Sequence, residues 1–184
     1  MIKEIERIKS LEGSTKYLFN DGMSEKGNFE ALYFYPVDDV KKSSICMSTQ
    51  IGCAVGCAFC ATGKLGLTRN LKSLEMIEAI TKILEDEKNN GEDIRNFDTV
   101  ALMGMGEPLH NYNEIKDFYH RAMKALSVRH ISLSTSGVTD NIIKLAEDDT
   151  NYNLCVSLHS PFNEERNKLI PINKRYPVEE VIKA

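Results

Sequence analysis

The segment "CMSTQIGCAVGCAFCATGKLGLTRNL", residues 46–71, holds four of the chain's five cysteines within fifteen positions. Cys53, Cys57 and Cys60 follow the spacing C-x3-C-x2-C, and Gly52 and Gly56 let the loop between them curl. Three thiolates offered by so short a loop can hold three irons of a 4Fe-4S cluster and leave the fourth iron open to another molecule. Zinc is the competing reading. A structural zinc site wants four closed ligands, usually from two separated C-x2-C pairs. Here there is one such pair, and Cys46, seven residues before Cys53, is the nearest further thiol. An inert group of buried cysteines fits less well, because the residues between them are mostly small.

Other polar residues cluster where strands should end: "GMGEP" after Met103, "STSG" after Leu133 and "SLHS" after Val156. Parallel α/β folds place their chemistry at the carboxyl ends of strands, so these segments and the cysteine loop should converge on one rim. Taken singly, "GMGEP" is a strand-ending turn and His159 a hydrogen-bonded core histidine. Their placement at successive strand ends favours a site.

The elements that must hold these residues alternate. Strand-like "ICMST", "TVALM", "HISLS" and "YNLCVSLH" are separated by helical patterns, the first being "SLEMIEAITKILEDEKNNG" with Leu74, Ile77, Ile80 and Leu84 at helical spacing. The others are "NEIKDFYHRAMKAL" and "NIIKLAEDD". Such alternation implies right-handed crossovers and a parallel sheet. In "LCVSLH", Leu154, Val156 and Leu158 point one way and Cys155, Ser157 and His159 the other; Ile131 and Leu133 oppose Ser132 and Ser134 in the same manner. One polar and one apolar face suit a curved sheet with helices outside and a ligand-filled channel inside, a partial (β/α) barrel; local irregularity at strand ends is the alternative. Residues 1–44 read as a separate lead-in, a small β-hairpin of "STKYLFNDG" and "FEALYFYP", before a core over residues 45–184.

Composition limits the function classes. Apolar residues make up 42% and charged residues 27%, as in an ordinary globular domain. No apolar run is long enough to span a membrane and the charged start "MIKEIERIKS" is unlike a secretory signal, so a cytoplasmic setting is expected. The net charge of −4 gives no global pull toward nucleic acid. Contact with a polyanion must therefore be local, through groups such as Lys64, Arg69 and Lys72, unless these simply form solvated faces.

With C-x3-C-x2-C and Phe59 before its last cysteine, the chain resembles the radical S-adenosylmethionine (SAM) enzymes. "MGMGEPLHNY", "SLSTSGV" and "VSLHSPFNEERNKLIPINKRYP" follow in the order found in the RlmN/Cfr branch, and the resemblance covers residues 15–184. It implies methylation of adenine C2 in 23S ribosomal RNA and also tRNA, with a 4Fe-4S cluster on Cys53, Cys57 and Cys60. It implies SAM contacts at Gly106, Glu107, Ser134 and the run Ser157, Leu158 and His159, with Glu107 pairing the SAM ammonium. An electron-donating reductant such as flavodoxin is implied as partner. In the implied reaction a methylated cysteine near the enzyme's C-terminus carries the methyl group, Cys46 resolves the protein–RNA adduct, and Glu30 stands near the place of a proton acceptor. The chain departs from the pattern in length, being expected at about half that of the family. The last barrel strands and the methyl-carrying cysteine are expected to be missing. Cys155 does not match that position, and an uncovered sheet edge invites self-association. Two other functions stay open, a small radical SAM enzyme with another substrate and a non-catalytic iron–sulfur or SAM-binding module.

Overall fold

The computed structural model describes residues 2–11, 13–36, 41–126 and 128–184. Nine strands are formed among them: β1 (Lys3–Lys9), β2 (Ser14–Asn20), β3 (Asn28–Phe34), β4 (Ser43–Met47), β5 (Gln50–Gly52), β6 (Leu67–Asn70), β7 (Phe97–Leu102), β8 (His130–Thr135) and β9 (Asn153–Val156). The helices are α1 (Ala61–Leu65), α2 (Ser73–Asn89), α3 (Tyr112–Ala125), α4 (Thr139–Glu147), α5 (Asn163–Leu169) and α6 (Val178–Lys183).

Seven strands form one sheet in the order β1-β2-β3-β4-β7-β8-β9, while β5 and β6 make a separate antiparallel pair. From β4 to β9 the pairings are parallel, as the strand–helix alternation requires. From β1 to β4 they are antiparallel, so the expected hairpin of β2 and β3 runs directly into the sheet of the core through β3–β4. The strands do not close into a barrel; the result is an open α/β sheet with a parallel core and an antiparallel extension.

Alternation sorts the two faces. Tyr17, Phe19, Phe29, Ala31, Ile45, Val100, Ile131 and Leu133 point into one apolar core with the buried residues of α2, α3 and α4. The opposite face carries Leu32 beside Cys46, then Ala101 and Ser132 in the same row, with Ser134 beside Cys155 one row further along. The polar face expected of "HISLS" and "LCVSLH" is thus the open side of the sheet. Strand β9 is shorter than expected and lies at an edge, so Leu154 and Val156 remain 41% and 40% exposed.

Helix α2 sits rotated from its expected stripe. Met76, Ala79, Ile80 and Ile83 are buried, whereas Leu74 is 58% exposed. The reason is Glu87, a fully buried carboxylate on the inward face, which accepts from the hydroxyls of Tyr17 (2.6 Å) and Tyr35 (2.9 Å) and from Arg7 (3.2 Å). A buried carboxylate needs such donors, and satisfying them fixes the rotation of the helix. The same link explains β1. Its "KEIERIK" is charged almost throughout, but Arg7 reaches Asp86 at 2.8 Å, and the exposed charges protect a sheet edge from further pairing.

Candidate functional site

The cysteine loop leaves β5 and returns through α1 to β6, so the antiparallel pair closes its base. Cys53 N–H donates to the Gly66 carbonyl at 2.9 Å. Gly52 has φ +79° and a Cβ there would lie 1.9 Å from the Gly66 carbonyl oxygen, so both backbone geometry and space demand glycine. The far side of the loop rests on the segment after β9: Ala58 N–H donates to the Leu169 carbonyl at 2.9 Å, and Cys53 and Val55 pack with Ile170.

Gln50 joins the loop base to the "GMGEP" turn. Its Oε1 accepts from Glu107 N–H at 2.8 Å, and Gly106, at φ +108°, leaves room for the Gln50 side chain, which a Cβ would meet at 2.7 Å. The next link is Glu107, 3% exposed. Its Oε1 accepts from Leu109 N–H (3.1 Å) and Thr135 Oγ1 (2.7 Å), and its Oε2 from Ser136 N–H (2.7 Å) and Ser136 Oγ (2.6 Å). A carboxylate has about four acceptor sites. Those of Glu107 are taken up in tying the loop after β7 to the loop after β8.

In the loop after β9, His159 has φ +59°, the one positive value among the described non-glycine residues. That conformation costs a side-chain-bearing residue on the order of 1 kcal/mol. It brings the imidazole to 4.6 Å, centroid to centroid, from the Phe59 ring of the cysteine loop.

The loop and the strand ends enclose one cavity of about 280 Å3, lined by Cys53, Cys57 and Cys60 on one side and by Gly106, Glu107, Ser157 and His159 on the other. Convergence on one rim, expected from sequence, is what the chain does. Ser134 stands one step back, its hydroxyl 3.1 Å from that of Ser157. Leu158 does not line this cavity; its side chain faces an apolar groove with Ile142, Leu154 and Val181, and its carbonyl accepts from Arg166. Met103, Gly104 and Ser136 also line the cavity. They fall within or beside the quoted strand-end segments, but nothing in their types marks them individually.

Glu30 lies on the Cys46 face of the sheet, since its neighbour Ala31 pairs with Met47 and Leu32 with Cys46. Its carboxylate is ion-paired with Lys16 at 2.9 Å and half exposed. Cys155 is exposed on the same face. Arg69, grouped with Lys64 and Lys72 as a local cation, is instead committed to a bidentate pair with Glu75 (2.7 Å each) and to Asp21 (3.1 Å).

The three loop thiols share one environment. Burial pushes the Cys53 thiol up, and burial together with the neighbouring Cys53 and Cys60 sulfurs pushes Cys57 up to about 11, so the thiols sense one another's charge. Yet among the described residues no group of three or more His, Cys, Asp or Glu side chains is placed to hold a single metal ion. Three thiols presented to one cavity by a short loop are a donor set that would fit a polynuclear iron–sulfur core. Cys53, Cys57 and Cys60 are the residues that would hold it. Cys46 lies outside the cavity lining, its sulfur accepting from Met103 N–H and its thiol raised by burial. Cys46→Ala is expected to leave iron content after anaerobic reconstitution, and SAM binding, at the level of the parent; loss of both would make Cys46 a ligand.

Comparison with known proteins gives a consistent picture. Residues 47–184 match the model of the Radical SAM superfamily. The chain is 41% identical to the probable dual-specificity RNA methyltransferase RlmN of Thermotoga neapolitana, with 97% of this chain and 50% of the relative covered. It is 40% identical to the protein of the same name from Thermus thermophilus, covering 98% and 50%. Among solved structures, a radical SAM methyltransferase from Sphaerobacter thermophilus superposes with a TM-score of 0.88 at 32% identity, over 99% of this chain and 52% of that one. The chain spans about half the length of the curated relatives it matches.

Proposed function

This chain belongs to the radical SAM superfamily, and on that premise we propose that it binds a 4Fe-4S cluster and SAM and acts in methylation of adenine C2 in RNA. The observation that carries the reading is the single cavity in which three cysteines of one loop face the ends of three parallel strands. A cluster bound there supplies single electrons and, at its open iron, a seat for the amino and carboxylate groups of SAM.

The chain's own residues do the positioning. Gly106 lets the backbone approach the methionine part of the ligand, and Ser157 and His159 offer a hydroxyl and an imidazole to ribose hydroxyls or carboxylate. Cys46 and Glu30, on the adjoining open face, are the proposed thiol and proton acceptor of the transfer. RNA is the proposed partner because the curated relatives carry that activity in their names, 23S ribosomal RNA and tRNA being the substrates proposed. Lys64, exposed on α1 of the cysteine loop, and Lys72, exposed at the start of α2, are the local positive charges proposed for phosphate. The proposed division is a core over residues 45–184 that holds the cavity and a lead-in over residues 1–44, whose strands β1, β2 and β3 flank the sheet. A flavodoxin-type protein is the proposed electron donor and the open edge of β9 the proposed route of self-association. No described helix is long and apolar enough to cross a membrane, and the proposed setting is the cytoplasm.

Anaerobic reconstitution with iron and sulfide, followed by reduction in the presence of SAM, tests the reading. Formation of 5′-deoxyadenosine is expected, and methyl label from SAM in ribosomal RNA or tRNA tests the substrate. An iron-loaded protein that yields no 5′-deoxyadenosine would be a binding module, and the enzymatic reading would fall.

A further inference from the structure

Arg166, on α5, is fully buried. A buried guanidinium is ordinarily matched by a carboxylate or phosphate, because an unpaired charge is expensive to remove from water. Arg166 has no such partner among the described residues. Its Nε donates to the Leu158 carbonyl (3.0 Å), Nη1 to Asn173 Oδ1 (2.6 Å), and Nη2 to the carbonyls of Ser136 (2.5 Å) and Ser157 (3.4 Å). Every acceptor is neutral. Each guanidinium nitrogen has an acceptor, four for its five N–H groups, while the charge has no counterpart. Burial lowers its proton affinity, and the one opposing charge it senses is that of Cys57.

The surroundings direct that surplus charge toward the cysteine loop. Ser136 and Ser157 line the cavity that holds the three thiols, and α5 ends at Leu169, whose carbonyl receives Ala58 N–H of the loop. Ligating iron requires thiolates, each of which brings negative charge to a half-buried loop, and one-electron reduction adds more.

We infer that Arg166 is a positioning and electrostatic residue whose unmatched positive charge offsets that of the cysteine loop and holds a bound cluster at a reducible potential. The inference rests on the cluster reading above and goes beyond it by naming a residue that is neither ligand nor SAM contact. Its charge, rather than its hydrogen bonds, is the functional property.

Redox titration of the reconstituted chain, followed by electron paramagnetic resonance, separates charge from bracing. Asn173→Asp places a carboxylate on Nη1 and neutralises Arg166 without removing it; the Asn167 amide can turn to donate to the new oxygen, while Asn163 Oδ1 gives up the Asn173 donor and keeps Val178 N–H. The Asn173→Asp protein is expected to load iron like the parent but with a midpoint potential shifted to more negative values. Arg166→Gln should shift the same way and Arg166→Lys should stay near the parent. Should Arg166→Gln fail to fold, Asn173→Asp decides alone, since Arg166 keeps its own hydrogen bonds in that variant. A loaded Asn173→Asp protein with the parent's potential overturns the inference. A parent chain that takes up no iron overturns the cluster reading, and this inference with it.

Discussion

Cys53→Ala is expected to abolish assembly of the cluster while the sheet stays folded. The cysteine is 8% exposed and packs with Val55 and Ile170, and its replacement removes one sulfur and little volume, a loss of about 1 kcal/mol by analogy with small core truncations. Its backbone N–H still meets the Gly66 carbonyl, so the loop base stays closed. What changes is the ligand count. Two thiols cannot hold three corners of a 4Fe-4S core, and Cys46 lies outside the cavity and cannot substitute. The measurement is iron and sulfide content with the visible charge-transfer spectrum after anaerobic reconstitution. The exposed Cys155 on β9 provides the control, since Cys155→Ala should load like the parent. A full complement of iron in the Cys53→Ala protein would remove Cys53 from the ligand set.

The cluster loop and the alternation of strands and helices are legible because each rests on local information. Three cysteines in eight residues need no tertiary context, and the period of two in "HISLS" already separates Ile131 and Leu133 from Ser132 and Ser134. Features that depend on distant partners are not legible. Spacing groups Leu74 with Ile80, but the rotation of α2 is set by Glu87 finding Tyr17 on β2 and Tyr35 just past β3, both far away in sequence. Strand β1 carries too much charge to announce itself, and β5 and β6 are three and four residues long, below what a periodicity can signal. Arg166 is the clearest case. Nothing in "NEERNKL" sets it apart from the charges beside it, and only the folded chain places it at 0% exposure.

Glu107 shows how the same residue type reads differently once its neighbours are known. From sequence it is the partner of a ligand ammonium. In the fold its acceptor sites already receive Leu109, Thr135 and both donors of Ser136, so a ligand's ammonium would meet its charge and not a free lone pair. Glu107→Ala is therefore expected to destabilise the chain even without any ligand. Hydrogen bonds to a charged group contribute about 1.5–3 kcal/mol each and buried donors left unpaired cost about 1–3 kcal/mol. Shared partners make these terms less than additive, and a loss of about 3 kcal/mol is expected in urea unfolding of the cluster-free protein. Glu107→Gln keeps an acceptor at Oε1 for Leu109 and Thr135 but turns an NH2 toward Ser136 N–H, donor against donor, so about half of that loss is expected. Adding Ser136→Ala to Glu107→Ala should cost little more, because the hydroxyl no longer has its acceptor. An unfolding free energy for Glu107→Ala within about 0.5 kcal/mol of the parent, the range of an ordinary surface change, would mean that the carboxylate does not brace the rim. Its place in the cavity would then be best explained by the ligand alone.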